Sequence, residues 1–217
     1  MSLSPKIVVV ANGKGGVGKT TTVMALSGIF AEKYKVLAVD TDTQGSFSWW
    51  AKRGEKRIGF DLIQETDPAL LSRLRKKMEG YELAVVDTAP ALNSEALAAV
   101  IAIADYLVLP TPPAPMDLAV LIETVQKAIV PVGTNHRVLL TRVDSRRTRE
   151  ALEAQNTLRE LGIPAFQTFI RTYKAHERAA LEGIPISQLR GENAHEAKAD
   201  YRRVADELQR DWESNYG

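Results

Sequence analysis

The chain has 217 residues, of which 45% are hydrophobic and 25% are charged, a composition typical of globular proteins. Lysine and arginine number 28 against 27 aspartates and glutamates, so the formal net charge of +1 predicts that any anionic partner binds a local basic patch. The chain has no cysteine, which excludes disulfides, thiolate metal centres, iron–sulfur clusters and cysteine nucleophiles.

The start of the chain lacks the basic segment and the long apolar core of a signal peptide, and its longest apolar runs are strand-sized. We therefore expect a cytoplasmic protein with no membrane partner. Because no internal repeat or linker is apparent, we also expect residues 1–217 to form a single domain.

Short apolar runs alternate with helical patterns along the chain. Strands are predicted at residues 7–10, 36–39, 83–86, 106–109 and 138–140, with a short sixth candidate at 165–170. Helices are predicted at residues 19–33, 68–79, 94–104, 117–129, 147–161 and 194–212, with Asp117 capping the fourth of them. This alternation predicts an α/β fold with a mostly parallel central sheet and helices on both faces.

The strongest motif lies between the first predicted strand and the first predicted helix. It reads Gly13-Lys14-Gly15-Gly16-Val17-Gly18-Lys19-Thr20 and fits the phosphate-binding loop pattern G-x-x-x-x-G-K-[ST]. Glycines let backbone N–H groups turn inward, so that they and the positive end of the helix can cradle phosphate oxygens. We expect a nucleotide to contact this loop and Thr21, with Lys19 at the β- and γ-phosphates and the Thr20 hydroxyl on Mg²⁺. The motif narrows the fold class to the three-layer P-loop NTPase fold.

Three aspartates follow buried strands. Asp40 and Asp42 come after the second predicted strand, and Asp87 comes after the third. Ligand sites of open parallel sheets form at the carboxyl ends of strands, and Mg²⁺ commonly uses one or two carboxylates there. The sequence therefore predicts a magnesium site formed by the Thr20 hydroxyl and two of these three carboxylates.

The second lysine of the loop, Lys14, carries a family resemblance. Residues 14–20 match K-G-G-x-x-G-K-[ST] and so resemble the deviant Walker ATPases of the ParA/MinD family. Residues 40–45 resemble its D-x-D-P-Q-G segment, with Thr43 in place of proline, and residues 85–90 resemble its Walker B segment and switch loop. Looser resemblances at residues 110–117, 141–144 and 179–186 extend the match over about residues 6–212.

The resemblance implies roles for individual residues. Lys14 would cross a dimer interface to the partner's ATP, so that two subunits sandwich two nucleotides. Asp42 would position the attacking water, which makes Lys14, Lys19 and Asp42 the predicted catalytic residues. Asp87 would hold Mg²⁺ through water, and Asp40 would support the Mg²⁺ shell. Arg142 would lie near the adenine.

The resemblance also implies an activity. It predicts a slow ATPase, with ATP and Mg²⁺ as cofactors, that a ParB-like or cargo-adaptor partner stimulates. The ATP-bound homodimer would bind nucleoid DNA without sequence preference and drive plasmid or chromosome partition or cargo positioning. DNA contacts need basic side chains. The candidates, each of which also fits a solvated surface charge, are Arg171, Lys174, Arg178, Arg202 and Arg203, together with Arg146, Arg147 and Arg149.

Two other functions remain open at this stage. One is a MinD-like membrane-associated switch, although the last helix is mixed in charge and we interpret its apolar stripe of Tyr201, Ala205, Leu208 and Trp212 as core packing. The other is a metabolic P-loop enzyme acting on a small substrate. The absence of cysteine argues against the iron–sulfur members of the family.

Overall fold

The computed structural model describes residues 5–54, 58–91 and 94–214. Six strands form one sheet in the order β3-β2-β4-β1-β5-β6, and every neighbouring pair is parallel. The strands are β1 Lys6–Val10, β2 Val36–Asp40, β3 Asp61–Gln64, β4 Leu83–Asp87, β5 Tyr106–Thr111 and β6 His136–Leu140. The predicted α/β fold with a parallel sheet is confirmed.

Five of the six predicted strands are confirmed, and the sixth is wrong. The segment 165–170 forms no regular strand: isolated parallel bridges occur at Ala165 and, just beyond the segment, at Arg171. The backbone N–H groups of Gln167 and Thr168 donate instead to the carboxylate of Glu207, at 2.8 and 2.9 Å, which draws the segment away from a regular ladder. The strand that completes the six-stranded sheet is instead β3. Its four residues lie at the sheet edge without a continuous apolar run, so the sequence did not predict it.

The helices of the described residues follow the predicted positions with three differences. The predicted helix at 68–79 is broken into two single turns, Pro68–Leu71 and Leu74–Lys77. The helices Ser46–Arg53 and Lys174–Glu182 were not predicted. The bounds are α1 Lys19–Phe30, α2 Ser46–Arg53, α3 Pro68–Leu71, α4 Leu74–Lys77, α5 Glu95–Ile103, α6 Pro115–Thr124, α7 Thr148–Glu160, α8 Lys174–Glu182 and α9 Ala194–Ser214.

The cap predicted at Asp117 is also wrong. Helix α6 starts at Pro115, whose fixed φ suits the first helical position, so Asp117 lies within the first turn. Beyond α6 the chain continues as a π-helical turn over Val125–Ile129 and a 3₁₀ turn over Val130–Val132. Pro131 lacks the N–H that a continuing α-helix needs, which explains why the helix changes form and ends here.

The sheet is buried on both faces. In β1, Val8 and Val10 belong to a core shared with α1, α2, α8 and α9, whereas Ile7 and Val9 face the core under α3 to α7. The apolar stripe of α9 lies in the first core, where Tyr201 and Leu208 are fully buried, so its interpretation as core packing is confirmed. Within the described ranges, no helix combines the length and the apolarity that crossing a membrane requires.

Candidate nucleotide-binding site

The phosphate loop follows a central strand of the sheet. Strand β1 lies between β4 and β5, and the loop connects its end to α1. Gly16 and Gly18 adopt left-handed φ angles of 74° and 96°, which side chains with a Cβ rarely adopt. Gly18 precedes α1 without a side chain that could cap it, so the first N–H groups of α1 are placed to bind an anion.

The side chain of Lys19 lies across the inner side of this loop. Its ammonium donates a hydrogen bond to the carbonyl oxygen of Lys14 at 2.8 Å, and its residue is 7% exposed. Burial lowers the pKa of Lys19 below its usual value, while the carboxylates of Asp87 and Asp42 act in the opposite direction. The charge is therefore concentrated at the concave side of the loop, where β- and γ-phosphates would lie.

Asp87 and Thr20 form the metal-binding side of the site. The Thr20 hydroxyl donates to Oδ2 of Asp87 at 2.7 Å, while Oδ1 of Asp87 is buried without a hydrogen-bond partner in the described residues. Burial raises the pKa of Asp87 to about 7, and the hydrogen bond from Thr20 offsets this only in part. A buried carboxylate oxygen with no partner beside a hydroxyl is a fitting pair of hard ligands for Mg²⁺.

Asp40 lies beside Asp87 but is held differently. The two residues are register partners in β2 and β4, so the strand ends do meet as predicted. Asp40 is fully buried, and its Oδ2 accepts bonds from the backbone N–H and the hydroxyl of Ser48 at 2.9 and 2.7 Å. Its Oδ1 accepts the backbone N–H of Asp42 at 3.1 Å. The chain's own groups thus occupy both oxygens of this predicted metal residue.

Asp42 lies on the loop between β2 and α2. Its Oδ1 accepts the N–H of Gln44 at 2.9 Å, its carbonyl accepts the N–H of Gly45 at 2.9 Å, and the side chain is partly exposed. A cavity of about 380 Å³ lies beside this loop and is lined by Thr20, Gln44, Ser46, Trp49 and Trp50. Thr20 and the loop that carries Asp42 therefore border the same cavity.

Lys14 points away from its own loop. Its side chain is 53% exposed, and its ammonium forms an ion pair with Asp117 in the first turn of α6. The loop itself is fixed by Asn12, which accepts the N–H of Lys14 at 2.9 Å and donates to the carbonyl of Pro110 at 2.8 Å. Lys14 is therefore a half-exposed cation on a well-supported loop, with a partner that solvent can replace.

Residues 141 and 142 support the phosphate loop. The hydroxyl of Thr141 donates to the carbonyl of Val17 at 2.8 Å, and the guanidinium of Arg142 donates to the carbonyl of Gly16 at 2.9 Å. Arg142 itself has a left-handed φ of 56°. Its predicted place beside an adenine stays a prediction, but its bond to the loop puts it at the nucleotide site.

This set of donors and acceptors fits phosphate oxygens and a hard cation. The loop presents N–H groups and a lysine, and Asp87 has one buried oxygen without a partner among the described residues. The chain is accordingly a P-loop nucleotide-binding protein. Among P-loop proteins it belongs to the CbiA family, described as the CobQ/CobB/MinD/ParA nucleotide binding domain, which matches residues 8–186. The recognised family and its P-loop NTPase fold are thereby confirmed.

Individual proteins resemble the chain along nearly its whole length. "Maintenance of carboxysome distribution protein A" from Gloeobacter kilaueensis is 68% identical over 208 residues, which are 96% of each chain. Among solved structures, an ATP complex of McdA from Cyanothece superposes with a TM-score of 0.78 at 19% identity, covering 95% of this chain and 97% of the other. The Mg-ADP complex of the septum site-determining protein MinD from Pyrococcus horikoshii gives 0.76 at 22% identity, with coverages of 94% and 96%. The fold neighbours thus carry the predicted cofactors, an adenine nucleotide and Mg²⁺.

Three of the predicted DNA-contacting arginines, Arg171 and the two on α9, are paired with carboxylates. Arg171 binds fully buried Asp200 through Nε and Nη2 at 3.0 and 2.7 Å, and Arg203 binds the same carboxylate at 2.5 Å. Arg202 binds both carboxylate oxygens of Glu32, at 2.8 and 2.7 Å. Each of these three cations is therefore engaged within the chain, and DNA phosphates would have to compete with the carboxylates or add to them.

Of the remaining DNA candidates, all but Arg178 are exposed. Lys174 is exposed at the start of α8, while Arg178 of the same helix donates to the carbonyls of Arg190 and Glu192. The side chains of the other three are 89%, 70% and 90% exposed and form ion pairs with carboxylates of the same segment; they are Arg146, Arg147 and Arg149. We therefore keep these three and Lys174 as the DNA candidates that are free to meet a phosphate backbone.

Sequence reasoning missed several residues that build the site. Asn12 directly precedes the phosphate loop, and its polar side chain after a buried strand was the available signal. Ser48 lies eight residues after Asp40, and Trp50 ties α2 to the end of α8 by donating to the carbonyls of Ala179 and Ile184 at 3.1 and 3.2 Å. No local pattern marks these long-range partners.

Proposed function

We propose that this chain hydrolyses ATP to position a protein cargo in the cell, and that the cargo is the carboxysome. The observation that carries the proposal is the 68% identity, over 96% of both chains, with a protein named for the maintenance of carboxysome distribution. This relative favours the cargo-positioning half of the predicted function over plasmid or chromosome partition.

The proposed reaction converts ATP and water to ADP and phosphate. Lys19 and the loop N–H groups bind the β- and γ-phosphates, and Asp42 orients the water that attacks the γ-phosphorus. Thr20 and Asp87 would hold Mg²⁺, which would neutralise the charge that develops on the phosphate oxygens. Because positioning and electrostatics supply most of the catalysis in this reaction, a partner that completes the site can control the rate.

The site is completed by a second copy of the chain. In support of this step, Lys14 points out of its own loop, is half exposed and, among the described residues, pairs with Asp117 alone. An ion pair with one exposed member contributes about 1 kcal/mol or less, so Lys14 can exchange Asp117 for a phosphate across a dimer interface at small cost. The ATP-bound homodimer is the form that binds nucleoid DNA through basic side chains, and an adaptor protein on the cargo stimulates its hydrolysis.

The dimer is tested with Lys14→Ala. We expect this variant to bind ATP as a monomer with unchanged affinity but to remain monomeric in sedimentation velocity, since its own loop keeps Lys19 and the glycines. Lys127→Ala removes another exposed lysine, one outside the loop, and should dimerise like the parent chain. A Lys14→Ala dimer of parental affinity would remove the composite site from the proposal.

DNA binding is tested by fluorescence anisotropy on two unrelated duplexes with ATP, with ADP and across a salt series. We expect equal affinities for both duplexes, binding only with ATP, and a log–log salt slope that becomes less steep in Lys174→Ala but not in Lys127→Ala. Binding to anionic lipid vesicles with ATP in place of DNA would instead support the MinD-like switch. Turnover that depends on a small metabolite and not on DNA would support the metabolic enzyme.

A further inference from the structure

The carboxylate of Asp40 holds together the segment that carries Asp42. Asp40 ends β2, and Ser48 is the third residue of α2, so the bonds between them close a loop of seven residues. Within that loop, Asp40 also accepts the N–H of Asp42 at 3.1 Å. One buried side chain therefore fixes both the first turn of α2 and the backbone of Asp42.

Helix α2 depends on this contact for its start. Its N-cap is Gly45, which has a left-handed φ of 64° and no side chain to accept the free N–H groups of the first turn. The Asp40 carboxylate accepts one of them, the N–H of Ser48, and places a negative charge near the positive end of the helix. A cap supplied from β2 thus ties the helix to the carboxyl end of that strand, next to Asp42.

We propose that Ser48 and Asp40 are positioning residues for Asp42, and that Asp40 acts through this loop rather than as part of the Mg²⁺ shell. The inference rests on the proposed hydrolysis, in which Asp42 orients the water. Ser48 is 5% exposed, and its hydroxyl donates to Oδ2 of Asp40 at 2.7 Å. The hydroxyl therefore orients the carboxylate that accepts the N–H of Asp42. Misplacement of a catalytic group by about 1 Å can cost about 100-fold in rate.

The two roles for Asp40 make different predictions for Ser48. If Asp40 supports Mg²⁺, removal of the Ser48 hydroxyl should alter the Mg²⁺ concentration needed for half-maximal activity. If Asp40 and Ser48 position Asp42, the same change should lower the single-turnover rate and leave the affinities for Mg²⁺ and ATP in place. Ser48→Ala separates them, because it keeps the backbone N–H bond and removes only the hydroxyl bond.

The experiment compares the full-length parent chain with Ser48→Ala, Ser48→Thr and Ser27→Ala. Ser27 is a fully buried serine of α1 whose hydroxyl has no partner in the described residues, so Ser27→Ala controls for loss of a buried hydroxyl. We expect Ser48→Ala to lower the single-turnover rate at least about 10-fold, with ATP and Mg²⁺ half-saturation within about twofold of the parent. Ser48→Thr, which keeps the hydroxyl, should recover most of the rate.

A second measurement does not depend on turnover. Without nucleotide, hydrogen exchange of the Asp42 and Ser48 amides should be faster in Ser48→Ala than in the parent or Ser27→Ala, while the protection of β1 stays unchanged and shows that the chain is folded. An unchanged rate in Ser48→Ala, or a rate loss matched by an equal loss of Mg²⁺ affinity, would overturn the inference. Failure of the proposed function looks different, since the parent chain would then hydrolyse no ATP.

Discussion

The buried carboxylate of Asp87 should make the stability of the chain fall as the pH rises. Its pKa is raised from 3.8 to about 7, chiefly by burial, with Asp40 and Asp42 adding to the effect and Lys19 and Thr20 opposing it. Between these two pH values the unfolded chain has lost the proton and the folded chain keeps it. Because the folded state then binds more protons, the free energy of unfolding falls as the pH rises, and it stops falling above about pH 7.

The size of the effect follows from the two pKa values. A pKa difference of about 3 is equivalent to about 4 kcal/mol, of which about 3 kcal/mol appears between pH 5 and pH 8. Asp87→Asn removes the charge and keeps an oxygen that can accept the Thr20 hydroxyl. The variant should therefore gain about 3 kcal/mol of unfolding free energy relative to the parent as the pH is raised from 5 to 8.

The assay is denaturant unfolding of both proteins at several pH values, without Mg²⁺ or nucleotide. Asp206→Asn, on the exposed side of α9, controls for the loss of one negative charge. Adding Mg²⁺ and ATP at pH 8 should stabilise the parent more than Asp87→Asn, because the variant keeps the phosphate loop but lacks the anionic ligand for the metal. Parallel stability curves for the parent and Asp87→Asn across this pH range would refute the argument that burial of the charge dominates at this site.

Three further substitutions test other parts of the structure. Lys19→Ala should abolish binding of a fluorescent ATP analogue while the circular dichroism spectrum stays native; retained binding would contradict its role in the loop. Gly28→Ala should destabilise the chain by about 1–3 kcal/mol in denaturant unfolding, although alanine favours helices, because its Cβ would lie 2.5 Å from Cβ of Pro185; a stabilised variant would show that this segment yields easily. Asp200→Asn should cost about 2–3 kcal/mol in the same assay, since it leaves the partly buried Arg171 without its counter-charge, and a loss below about 0.5 kcal/mol would contradict this.

The local patterns that the sequence carries are those that need no distant partner. The uninterrupted apolar runs of five strands are buried, so these strands could be assigned from the local pattern alone. The phosphate loop could be assigned because its glycines, lysine and threonine lie within one short segment, residues 13–20, at fixed spacings. The short edge strand β3 and the segment 165–170 could not, because their pairing depends on which neighbours reach them, as the bonds from Gln167 and Thr168 to Glu207 show.

The sequence by itself determined the class of site: a phosphate loop, three acidic strand ends and the extra lysine Lys14. Only the tertiary structure decided which role each of these residues takes. Asp40 and Asp87 both end buried strands, yet Asp87 keeps a buried oxygen without a partner among the described residues, while Asp40 is occupied by Ser48 and the Asp42 backbone. The difference arises because a carboxylate takes its role from the donors that the fold brings to it, and those donors lie on other elements of the chain.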